Sequence, residues 1–155
     1  MIGNQITVQI VGKDWIGVNN MLIYILAHDS SYKEYIEDMI CIATTDFQKI
    51  LDYLTFDRLY RNNYELFFCK DGDIEDGYSI YAKTNMGNQL REYPPAILWE
   101  NKKVLNELVE KIDIWSANIE SQLEEKRRKE KEEKDKEQEE KDRALYEKLK
   151  AKFES

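Results

Sequence analysis

Histidine is almost missing from this chain: His28 stands alone among 155 residues. A cluster of histidine metal ligands is thereby excluded, and any imidazole-based triad is confined to one place. Two cysteines, Cys41 and Cys69, are too few for a disulfide framework or a four-thiolate zinc site. Both sit in apolar company, the setting of buried free thiols in a reducing compartment. The six glycines form no phosphate-cradling loop. The seven-residue apolar run 21–27 is far short of a membrane span, and no cationic leader precedes an apolar block. The expectation is a soluble cytoplasmic protein with no membrane association, no bound metal and no cofactor.

Proline is equally scarce, and its placement organises the chain. Both prolines are adjacent, Pro94 and Pro95, and neither Pro nor Gly follows them. The pair suits the start of a helix, so the pattern predicts one long helix from Pro95 to about Phe153. Leu98, Leu105, Ile112 and Ile119 recur every seven residues, with Leu108 and Trp115 three residues after two of them. These six form a seam of a/d type, a candidate site for a homodimer through the long helix. Residues 124–143 then hold nineteen charged side chains and Gln138. Glu124 with Arg128, Glu125 with Lys129, Glu130 with Lys134, Glu132 with Lys136, Glu137 with Lys141 and Glu139 with Arg143 are acid-to-base pairs at i, i+4. This orientation supports an isolated helix in water. Apolar spacing resumes at Leu145, Leu149 and Phe153.

Charge divides the chain in two. Residues 1–123 hold 11 Lys and Arg against 19 Asp and Glu, a net −8, whereas residues 124–155 hold 12 of each. The domain reading is an acidic head, 1–123, and a charged helical extension, 124–155. An acidic head repels phosphate backbones and attracts basic surfaces, so direct nucleic-acid binding is not expected.

Within the head, residues 5–11 alternate as a half-buried strand. Trp15, Val18, Leu22 and Ile25 follow helical spacing and predict a helix over 14–28; the alternative is two short strands. Ser31 and Glu34 form a capping box ahead of a helix through Ala43, and Thr45 with Gln48 a second box ahead of a helix from Phe47 that extends toward Tyr60. Residues 64–70 and 78–84 read as an antiparallel hairpin around a Gly- and Asp-rich loop, and residues 85–93 as a connecting loop. The fold class is α+β: a small antiparallel sheet of about three strands, including hairpin 64–84, packed with helices and followed by a long charged C-terminal helix.

Catalytic constellations are weak. His28 has the context of a helix end and Cys41 that of a core position. The acidic loop departs from a calcium-binding pattern, because Gly77 is displaced by one and Ala82 stands where a bidentate Glu belongs. The chemistry available is contact chemistry: Asp71, Asp73, Glu75 and Asp76 beside Tyr78 and Tyr81, acids and aromatics on one hairpin. The sequence therefore points to a non-enzymatic intracellular interaction module whose head binds a basic protein. A phage or mobile-element inhibitor of a host protein fits this description, as does the Ile- and Tyr-rich usage of an AT-rich genome. Two alternatives stand beside it: an acidic nucleic-acid mimic that inhibits a nucleic-acid enzyme, and a structural protein that assembles through its long helix.

Overall fold

The computed structural model describes residues 9–11, 14–16, 21–29 and 39–154. Two compact units divide the chain, Met1–Glu120 and Ser121–Ser155.

The first unit is built on an antiparallel sheet. Strands β3 (Ile23–His28), β4 (Ile40–Thr44), β5 (Tyr64–Lys70), β6 (Asp73–Ile74) and β7 (Tyr78–Ile80) are arranged β4-β3-β5, with β6 and β7 both paired to the far side of β5. A separate two-stranded ladder pairs β1 (Gln9–Val11) with β2 (Asp14–Ile16). The sheet thus has five strands where about three were expected. The central pair, β3 and β5, places Tyr24 opposite Phe68, Leu26 opposite Leu66 and His28 opposite Tyr64. Period-two alternation sends Tyr24, Leu26, Tyr64, Leu66 and Phe68 to one face. Tyr24 stands edge-on to both Phe47 and Phe68 there. Ile23, Ile25 and Cys69 take the opposite face, with Ile40, Ala43 and Phe67 packed against them.

Helices cover the first face: α1 (Phe47–Tyr53), α2 (Phe56–Arg61), α3 (Met86–Glu92), α4 (Ala96–Trp99) and the start of α5 (Lys102–Glu154). Ile50, Leu54, Leu59, Met86, Leu90, Leu98, Leu108, Ile112 and Ile119 join the sheet residues in one core. α1 begins at Asp46, whose Oδ1 accepts from the Gln48 amide at 3.0 Å. Thr55 caps α2 through its hydroxyl and so separates it from α1.

Several elements differ from the sequence reading. The described residues of 14–28 form no helix; β2 and β3 stand there instead, since a continuous apolar run buried on both faces is a strand pattern that also satisfies helical spacing. Residues 40–43, expected at the end of a helix, belong to β4, where β-branched Ile40 and Ile42 suit the sheet. Residues 32–38 of that helix, the Ser31–Glu34 box and residues 5–8 of the first strand lie outside the described residues. The cap of α1 is Asp46, not Thr45. Residues expected to connect hairpin and helix form α3, and the second hairpin strand stops at Ile80. The long helix starts at Lys102 rather than Pro95, because Asn101 turns the chain: its Oδ1 accepts from the Val104 amide at 3.3 Å and its carbonyl from the Leu105 amide.

The second unit is the remainder of α5, with every residue from Arg127 to Glu154 exposed. Arg128 grips Glu125 through Nε and Nη2 at 3.1 and 2.7 Å and reaches Glu132 at 2.5 Å. Its hydrogen bonds hold the Glu125 carboxyl below the usual carboxylate range. Of the anticipated pairs, Glu125 with Lys129 forms at 3.6 Å, whereas Arg128 takes Glu125 and Glu132. Among the described residues, no helix is long and apolar enough to cross a membrane.

Candidate interaction surface

β5 reverses direction at Asp71–Gly72. Both residues have positive φ, 52° and 85°, and Lys70 pairs with Asp73 across them. A two-residue turn of this hand matches the right-handed twist of the flanking strands, and Asp-Gly is among the few pairs that adopt it cheaply. Asp71 and Asp73 are held exposed at its rim.

The chain then leaves the ladder for three residues before rejoining it. The Glu75 amide still donates to the Phe68 carbonyl at 2.9 Å. Gly77 stands against the Phe67 ring; a Cβ there would lie 2.7 Å from Cε1 of Phe67 and 3.0 Å from Oε2 of Glu65. β7 then resumes pairing, with Tyr78 opposite Leu66 and Ile80 opposite Tyr64. The excursion 75–77 leaves Asp76 exposed and Glu75 half-buried.

Tyr78 joins this loop to a second one. Its ring packs edge-on to Phe68 with centroids 5.8 Å apart. Its hydroxyl donates to the Tyr93 carbonyl at 2.5 Å. Burial, and then the charges of Glu75 and Asp76, push the Tyr78 hydroxyl up to about 12. Those two carboxylates therefore act on the atom that holds Tyr93 in place. Tyr93 ends α3 and is 76% exposed. Tyr81, just beyond β7, is also exposed.

The six hairpin candidates from the sequence thus fall on one edge of the sheet, with Tyr78 serving as strut more than as contact. Tyr93 stands outside those six, although the sequence groups it with Tyr60, Tyr64, Tyr78 and Tyr81 as the tyrosines gathered around the hairpin. Its signal was the Tyr-Pro-Pro sequence, since a following proline keeps Tyr93 from continuing the helix that it ends. Trp99, at the end of α4, is 62% exposed and was unmarked. Tyr64, by contrast, is core, stacked on His28 at 5.0 Å and edge-on to Tyr53.

The seam candidates fall elsewhere. Leu98, Leu108, Ile112 and Ile119 are buried in the head's own core, and Leu105 and Trp115 pack against it. Their seven-residue spacing serves contact with the sheet and the shorter helices. No group of three or more His, Cys, Asp or Glu among the described residues is placed to hold a metal ion.

No family model, curated protein or solved structure matches this chain.

Proposed function

We propose that this chain is a non-enzymatic, cytoplasmic protein-interaction module whose head engages a basic partner through Asp71, Asp73, Glu75 and Asp76 together with Tyr81 and Tyr93. The observation that carries this reading is the hydrogen bond from Tyr78 to the Tyr93 carbonyl. It ties the strand that follows the acidic loop to the backbone of an exposed tyrosine, so the surface offers charge to steer a partner and a large rigid side chain to anchor it. The head's net −8 supplies the long-range attraction. Two free cysteines, Cys41 and Cys69, are in keeping with a reducing compartment. An inhibitor of a host protein is the role such a module fits best.

The test is capture of basic proteins from nuclease-treated lysate on the full chain, beside an Asp73→Lys/Asp76→Lys variant and a Tyr93→Ala variant. A partner retained by the unaltered chain, lost on charge reversal and weakened roughly tenfold by Tyr93→Ala supports the reading. Equal retention by all three chains would remove the hairpin from the site. Displacement of the partner by added DNA would turn the module into a nucleic-acid mimic.

A further inference from the structure

The last three turns of α5 carry a face that nothing in the second unit covers. Leu145, Tyr146, Leu149 and Phe153 are all exposed, Phe153 by 80%, after twenty residues with no apolar side chain. At 100° per residue these four occupy a stripe about 100° wide. Arg143 and Lys150 border one side of the stripe, and Lys141, Lys148 and Lys152 the other. Across residues 141–153 five cations face two acids, Asp142 and Glu147. The arrangement is a short amphipathic helix with basic margins, a form that seats on apolar surfaces rimmed by negative charge.

We propose that the occupant of this face is a second copy of the same chain, with the stripe of one copy seated on the acidic aromatic surface of another. The argument is complementarity of both kinds. The head surface presents Asp71 and Asp73 at the hairpin turn, Glu75 and Asp76 beside Tyr78, and the exposed Tyr93 whose backbone the Tyr78 hydroxyl holds, acids to meet lysines and an aromatic to meet Leu149 and Phe153. Every copy carries both halves. The contact joins unlike surfaces and is heterologous, so it either closes into a ring or extends. Three helical turns bury less than a standard interface, so the association is weak and salt-sensitive. It also competes with a basic partner for the head. This inference rests on the reading of the hairpin as a docking surface.

The experiment is sedimentation velocity of the full chain over a concentration series at low and high salt. Two variants accompany it: Leu149→Asp/Phe153→Asp in the stripe and Asp73→Lys/Asp76→Lys in the hairpin. All four positions are exposed, and circular dichroism checks that both variants fold. The expected result is association of the unaltered chain that salt reverses and that each variant weakens at least about tenfold. Mixing the two variants restores a one-to-one species, because one intact stripe then meets one intact hairpin. Association that survives in the hairpin variant would mean that stripes pair with each other, and would overturn the proposal. A monomer at every concentration would overturn it too, as would binding of the stripe to phosphatidylglycerol vesicles in place of self-association. Capture of a basic protein by a strictly monomeric chain would sink self-docking alone, while failure of both assays would remove the hairpin surface altogether.

Discussion

The indole Nε1 of Trp115 donates to the Leu54 carbonyl at 3.4 Å, across 61 residues of sequence. Leu54 ends α1, where the last helical carbonyls have no partner within the helix. Trp115 therefore supplies from α5 a donor that α1 needs. Replacing Trp115 by Phe keeps most of the packing and removes that donor. The expected loss is about 1 kcal/mol of stability, read as a lower urea midpoint at unchanged slope.

Ile112, on α5, is completely buried in the core of the head, beside Gly87 of α3. Its truncation to Ala is expected to destabilise the head by about 2–5 kcal/mol, chiefly through the cavity it leaves. Thermal unfolding of the variant at two protein concentrations would give the same midpoint at both. A midpoint that rose with concentration would place Ile112 in a subunit contact.

Gly77 and Gly72 should respond to alanine for different reasons. At Gly72 there is open space, and the cost of about 1 kcal/mol comes from its positive φ. At Gly77 the new methyl meets the Phe67 ring, and overpacking costs about 1–3 kcal/mol. Adding Phe67→Leu should recover part of the loss at Gly77 and none of it at Gly72. A double-mutant cycle reads the difference directly.

Glu65 binds its proton more tightly in the folded chain. Partial burial is the main cause, with the charge of Asp29 and a hydrogen bond to it adding to the effect. A carboxyl with a raised folded value contributes stability that is fully present at acid pH and is lost as pH rises through that value. Glu65→Gln removes the penalty. Its melting temperature should exceed that of the unaltered chain at pH 8, and the gap should narrow by pH 4.

Tyr78 should resist ionisation, since its hydroxyl titrates at about 12. Ultraviolet absorbance during alkaline titration should show it ionising late, together with Tyr24, which burial and then Asp46 and Glu107 raise to a similar value. Tyr78→Phe removes the hold on Tyr93. It should leave the fold intact and weaken partner binding by raising the mobility of that loop.

The parts of this fold that were legible in the sequence had local causes. The Asp71–Gly72 turn is announced by its two residues, and the length of α5 follows from the missing Gly and Pro. What escaped was decided at a distance. Helical spacing of Trp15, Val18, Leu22 and Ile25 conceals β3, because five consecutive buried residues satisfy any period. α3 was hidden by Asn85, Gly87 and Asn88, all poor helix formers. Gly87 is there because α5 passes close by: a Cβ would lie 2.9 Å from the Asp113 carboxylate that pairs with Arg91. The acidic half of the candidate surface could be read from composition. Its aromatic half depends on a hydrogen bond spanning fifteen residues, which no local pattern encodes.

Both margins of the five-stranded sheet are irregular. On one side β6 and β7 contribute two and three residues, parted by the excursion 75–77. On the other, the pairing of β4 with β3 slips between Leu26 and Ala27. Among the described residues, neither margin offers the run of evenly spaced amides and carbonyls that an incoming strand needs. A partner therefore has to recognise side chains here, and extended peptides find no rail to lie along. The same irregularity works against copies zipping together through the backbones of this sheet into fibres when the folded protein is crowded.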